Sequence, residues 1–231
     1  MKRTLLILTV LFFCSNAQAQ FRFGMKAGAG SSYHSKADPQ QYVIDYRYSN
    51  KFSYYAGITA DWQVCNHFSV QPSLLYSSKG SASSFSHIIN GTNGFDKFQY
   101  AGDVRLNYLE LPINLLFKQK LGAGKAFIGT GLYGALYLNG HKNGDFLIRE
   151  MPDIKTPWAD ILPATFEGRS GPLHRGGQPD AKLWDTGINF TAGYELPLGL
   201  QIALNYNAGF NETYYGKNRV YSVSLSYYLH R

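Results

Sequence analysis

Cysteine is nearly missing from this chain: 231 residues contain two, Cys14 and Cys65. Cys14 lies in an N-terminal segment built as Lys2 and Arg3, then the apolar run LLILTVLFF, then Ala17-Gln18-Ala19. That is the layout of an export signal peptide, residues 1–19, with cleavage expected after Ala19. A lipid anchor on Cys14 is not expected, because Phe13 stands where a small residue would be needed. The exported chain, residues 20–231, then keeps Cys65 alone. One cysteine cannot form an intrachain disulfide, so no disulfide framework holds the fold.

Long apolar runs are also scarce. Past the leader the longest is AFIGTGLYGALYL (126–138), interrupted by Gly129, Gly131 and Gly134. A spanning helix needs roughly 20 apolar residues, so a helical membrane protein is excluded. Charge is sparse, at 16 % of residues, with a net value of +7. Loss of Lys2 and Arg3 with the leader would leave 7 − 2 = +5. The basic residues form no stripe, and export argues against nucleic acid as a partner. The six histidines, at 34, 67, 87, 141, 174 and 230, match no zinc-site spacing, and no metal or other cofactor is expected. LGAGKAF (121–127) holds a Gly-Lys pair, but Gln119 and Ala126 occupy the positions where a phosphate loop needs Gly and Ser or Thr. A turn is the expected reading there.

What the chain has instead is aromatics, 16 % with 18 tyrosines, and apolar residues at every second position. In VYSVSLSYYL (220–229), Tyr221, Val223, Leu225, Tyr227 and Leu229 oppose Ser222, Ser224 and Ser226. Strict alternation marks a strand with one apolar and one polar face. The same split recurs at 21–30, 52–64, 67–77, 104–117, 184–195 and 200–210, and 126–138 completes the set. These eight segments have about the 9–11 residues that a tilted strand needs to cross a membrane. Aromatics cap the apolar stripes (Trp184 and Tyr194, Phe52 and Trp62, Tyr221 and Tyr227), as interfacial girdles do. Tight connections near Cys65-Asn66, at 118–125 and at 196–199 alternate with expected long loops at 34–51, 78–103 and 139–183. A shorter one is expected at 211–218. Short turns on one side and long loops on the other suit an outer-membrane barrel.

The fold expected is therefore all-β: a transmembrane antiparallel up-and-down β-barrel of eight strands. Ten strands result if GDFLIREM (144–151) adds a hairpin. Pro72 and Pro112 fall inside interior strands, where the missing N–H donor calls for a bulge or a locally opened ladder. Three stretches carry a resemblance: FGMKAG (23–28), SVQPSLLYSSKG (69–80) and NYLELPINLLF (107–117). On them the chain resembles the small outer-membrane β-barrel family of Bacteroidota, labelled PorT-like or porin-like. The second stretch departs from the family pattern at Ser73, where a glutamate is usual. The resemblance implies a barrel and an outer-membrane location, and it covers nearly the whole mature chain.

Alternation places Arg22, Lys26, Asp61, Glu110, Asp185 and Glu195 on inward faces. The interior of an eight-stranded barrel is just wide enough for side chains to fill it. Structural ion pairing is thus the expected role of these charges, with Lys26 or Arg22 matching Glu110 across the lumen. The functional expectation is a structural or surface-interaction role carried by the long outer loops, with no chemistry. The expected partners are outer-membrane lipid and lipopolysaccharide, with surface or envelope proteins meeting the loops. Two alternatives differ in class. One is a hydrolase at the outer rim, built from His34 or His87 with Ser31, Ser32, Ser84 or Ser86. The other is a narrow pore for small solutes. The 139–183 loop carries six basic and six acidic residues and five of the nine prolines, the composition of a mobile segment or a binding lid.

Overall fold

The alternating segments form long antiparallel strands in the computed structural model, which describes residues 20–35, 45–91, 94–146, 171–173, 182–213 and 216–229. In chain order they are β1 (Gln20–His34), β2 (Asp45–Gln63), β3 (Phe68–Gly91), β4 (Gly94–Leu121) and β5 (Gly124–Phe146). There follow β6 (Gly171–Leu173), β7 (Trp184–Glu195), β8 (Leu200–Thr213) and β9 (Gly216–Tyr228). Sequential neighbours pair antiparallel, β7 takes the place beside β5, and β9 pairs back onto β1. Among the described residues, eight strands close an up-and-down ring and β6 is a short addition on β5. Closure leaves the ring no free edge, which is what lipid requires of a spanning sheet. No described helix is long and apolar enough to cross a membrane.

The two faces differ as the alternation demands. Leu225 is 52 % exposed on the outer wall, whereas Ser224 and Ser226 beside it are 2 % and 4 % exposed inside. The outer wall of the ring is largely apolar, with Met25, Ile58, Leu74, Leu111, Ile113 and Leu204 all exposed. Aromatics border this band. At the short-turn end Phe21 lies opposite Trp62 and Phe68 opposite Phe117; towards the other end Tyr206 stacks on Tyr221, its cross-strand partner. Three turns close the short end. The β4–β5 turn is the residue pair Gly122-Ala123, with Gly122 at φ 60°, and the β7–β8 turn has Gly199 at φ 78°. A side chain at either glycine would be strained in that left-handed region. Tyr194 fastens the first of these turns: its hydroxyl donates to Leu121 O at 2.6 Å and accepts from Gly124 N at 2.9 Å.

The expected loops need correction. Residues 78–91 and 94–103 are strand. β3 and β4 stay paired from Phe68↔Phe117 to Gly91↔Gly94, with 24 and 28 residues against the ~9–11 that a membrane crossing needs. β2 flanks this hairpin from Asp45 and β5 flanks it to Phe146, so a four-stranded wall rises beyond the rim where β1 turns off at Ser32↔Lys51. The small and hydroxyl residues of SSKGSASS (77–84) suit either face, which hid the strand. Likewise 211–218 is mostly strand, with β8 reaching Thr213 and β9 starting at Gly216. Of the expected loop 34–51, His34 and residues 45–51 are strand and 36–44 lie outside the described residues; of the loop 139–183, residues 139–146 and 171–173 are strand, and 147–170 and 174–181 lie outside the described residues. In the expected extra hairpin 144–151, residues 144–146 belong to β5 and the rest lie outside the described residues.

The prolines behave as one of the two expected options. Pairing lapses beside Pro72 on β2 and beside Pro112 on β3, while the register is the same on either side of each gap. The ladder opens locally, and no bulge forms at either proline. The register shifts lie elsewhere, at Asn50/Tyr54, Asn107/Tyr108 and Ala208/Glu212.

Candidate functional site: the charged interior

Arg22, Lys26, Asp61, Glu110, Asp185 and Glu195 all point into the barrel; five are at most 6 % exposed, and Arg22 has 19 % of its side chain exposed. They do not form one cluster. The layer near the short-turn end joins Arg22 of β1, Asp61 of β2, Lys118 of β4 and Glu195 of β7. Lys118 Nζ lies 2.8 Å from Asp61 Oδ2 and 2.9 Å from Glu195 Oε2. Arg22 pairs with Glu195 at 2.7 Å and also with Asp61. Gln201 donates to Glu195 at 2.9 Å, and Gln71 donates to Gln201 at 3.1 Å. The Arg22 guanidinium lies 5.1 Å from the centre of the Tyr228 ring. Two cations and two carboxylates thus neutralise one another, and Gln201 shares the Glu195 Oε2 that Lys118 also holds.

The layer nearer the outer end is centred on Lys79 of β3. Its ammonium lies 2.7 Å from Glu110 Oε2 and 3.6 Å from Asp185 Oδ2. It also sits 4.5 Å from the Tyr133 ring centre and 5.6 Å from that of Tyr108. Asn218 and Tyr133 donate to Asp185 at 2.8 and 3.3 Å, and Asn207 donates to Glu110 at 3.3 Å. Above it, Val104, Leu106, Tyr108, Tyr133, Ala135 and Tyr137 form an apolar plug inside the barrel. Leu116, Phe127 and Ala203 form a smaller one towards the short-turn end.

This arrangement corrects the expected partner of Glu110. Lys79 meets it, while Arg22 belongs to the other layer and Lys26 makes no ion pair with it. Lys26 instead borders a void of about 20 Å³ together with Glu110, Tyr55, Asn189 and Asn205. A void of this size has room for about one water molecule. Lys79 and Lys118 are the interior cations that the sequence reading missed. Lys79 was hidden in the supposed loop and Lys118 in the supposed turn. Extending the parity of Glu110 and Asn114 to Leu116 and Lys118, or of Gln71 and Ser73 to Ser77 and Lys79, would have found both.

The rim hydrolase does not assemble from the described residues. His34 is 1 % exposed inside the barrel, and its Nδ1 meets Ser81, itself 4 % exposed. Ser32 exchanges hydrogen bonds with Gly80, donating at 2.7 Å and accepting at 2.8 Å. His87 lies in β3 opposite Phe98, and its side chain is outside the described residues. Among the described residues no group of three His, Cys, Asp or Glu could hold a metal ion.

A family model described as the outer membrane protein beta-barrel domain matches residues 16–215. The chain belongs to that family. As an outer membrane protein beta-barrel it is also similar to solved barrels at low identity. Ail, the attachment invasion locus protein of Yersinia pestis, solved in complex with the heparin analogue sucrose octasulfate, shares 11 % identity. The likeness covers 91 % of this chain and 99 % of Ail, at a TM-score of 0.40. Neisserial surface protein A shares 8 % identity over 89 % of this chain and 96 % of its own, at 0.41. An outer membrane channel from Pseudomonas putida F1 shares 9 % over 94 % and 97 %, at 0.28. No curated protein matches the chain. The family places this barrel in the outer membrane.

Proposed function

We propose that this outer membrane barrel is a plugged scaffold whose duty is surface interaction, carried by the wall and loops beyond the ring. One observation carries the reading: the lumen is filled by two ion-pair layers and an apolar plug, leaving beside Glu110 a void of only about 20 Å³. A filled interior supplies rigidity and no path. Its six sequence-predicted charges, with Lys79 and Lys118, are structural in this reading. Within the two buried layers and the void beside them, four cations (Arg22, Lys26, Lys79, Lys118) balance four carboxylates (Asp61, Glu110, Asp185, Glu195). The four-stranded wall is the part with no structural need to be so long. Lys51 and Asp103 pair across it, and Asn107 donates to Asn139 at 2.7 Å, which stiffens it as a platform.

The same reading holds that residues 1–19 are removed and that residues 20–231 form one domain. It holds too that membrane lipid and lipopolysaccharide surround the outer wall, while envelope or surface proteins meet the extramembrane parts. The PorT-like resemblance on residues 23–28, 69–80 and 107–117 supports a Bacteroidota lineage for this barrel. Enzyme chemistry has no support from the described histidines. Planar-bilayer recording tests the proposal against the pore. The purified barrel is expected to give no stepwise current, and steady unitary conductance that disappears on denaturation would overturn it.

A further inference from the structure

The short-turn mouth of the barrel carries positive charge that its own carboxylates do not match. Lys120 and Lys125 are direct cross-strand partners flanking the Gly122-Ala123 turn. Strand parity aims them inward with Lys118 and Phe127. Like charges set directly opposite on an antiparallel pair are destabilising. Among the described residues neither lysine makes an ion pair. The inward carboxylates at this end, Asp61 and Glu195, are already held by Arg22 and Lys118. Four cations face two carboxylates, so the mouth has a charge of 4 − 2 = +2.

A cavity of about 1090 Å³ opens at this place. Arg22, Lys120 and Lys125 line one part of it together with Glu195, whose charge Arg22 and Lys118 already meet, and the lipid-facing Phe21, Phe23 and Leu229 line another. It therefore joins a basic inner wall to the apolar rim of the barrel.

We propose that this mouth binds a phosphate-type anion, bridged by Lys120 and Lys125. A phosphate group offers three acceptor oxygens, enough to take charge-assisted hydrogen bonds from two ammonium groups at once. Bridging also removes the repulsion between the opposed lysines. The apolar part of the cavity accommodates the tail of an amphiphile. The anion has two sources: the headgroup of an inner-leaflet phospholipid, or a soluble phosphorylated compound of the periplasm.

The test uses the full mature barrel and a Lys120→Gln/Lys125→Gln double variant, with Lys142→Gln at the opposite end as control. Inorganic phosphate is titrated in zwitterionic detergent and followed by the amide resonances of residues 120–125. Lipid retention is compared by native mass spectrometry after extraction from phosphatidylglycerol and phosphatidylcholine vesicles. Each lysine is expected to contribute about tenfold in affinity, so the double variant binds about 100-fold more weakly while the control is unchanged. Saturable phosphate binding without lipid preference assigns the soluble ligand. Selective retention of phosphatidylglycerol assigns the headgroup. Both outcomes support the site. Thermal unfolding adds a second reading: without anion the double variant melts above the wild type, and with anion the order reverses. Equal binding, equal retention and an unchanged melting order in wild type and double variant would overturn the proposal.

Discussion

Replacing Glu110 with Gln probes the interior most directly. The substitution keeps volume and an acceptor for Asn207 but removes the charge that faces Lys79 at 2.7 Å. Both side chains are at most 4 % exposed, so bulk water does not replace the lost partner. Breaking one side of a buried pair typically costs about 3–5 kcal/mol. Asp185 lowers the figure here, since it remains 3.6 Å from the same ammonium. At an effective dielectric of about 20, Coulomb's law gives about 6 kcal/mol at 2.7 Å and about 5 at 3.6 Å, so Lys79 keeps a comparable partner. Glu110→Gln is therefore expected near the lower end, about 3 kcal/mol. Lys79→Met strands both Glu110 and Asp185 and is expected near about 5 kcal/mol. The double variant should cost clearly less than the sum of the two, which is the signature of a coupled pair. Urea unfolding of the barrel in lipid vesicles for the four members of the cycle reads these values. A Glu110→Gln change within about 0.5 kcal/mol of wild type, the range of an uninvolved surface position, would mean a hydrated lumen and refute the reasoning.

Leu225→Arg on the lipid face should cost about 2–4 kcal/mol if the residue lies near the bilayer midplane, measured by the same unfolding assay; a neutral result would place Leu225 outside the hydrocarbon. In a Cys65→Ser background, single cysteines at 221, 223 and 225 should react with lipid-phase maleimides while 222, 224 and 226 stay protected, and uniform labelling would refute the facing. N-terminal sequencing of the protein from outer membranes should begin at Gln20, and a chain that retains residues 1–19 would contradict removal of the leader.

Facing was legible in the sequence because it is a local property. Successive side chains of a strand point to opposite sides whatever the strand pairs with, so Ser222, Ser224 and Ser226 separate from Tyr221, Val223 and Leu225 without any knowledge of neighbours. The same parity answers why NYLELPINLLF tolerates Glu110 and Pro112 among leucines: those two residues look inward, and Leu109, Leu111 and Ile113 look out. Even the closed count of spanning strands follows from segments of this kind together with short turns such as Gly122-Ala123. Who meets whom across the lumen does not follow. Lys79, Glu110 and Asp185 come from β3, β4 and β7, and their height in the barrel depends on the stagger accumulated around the ring, a quantity no single strand carries. For that reason local reading offered Lys26 or Arg22 to Glu110, while ring closure delivered Lys79. The length of the β3–β4 wall was decided the same way: residues 78–91 and 94–103, without an apolar stripe to declare them, are strands because their backbone groups pair with each other and with β2 and β5.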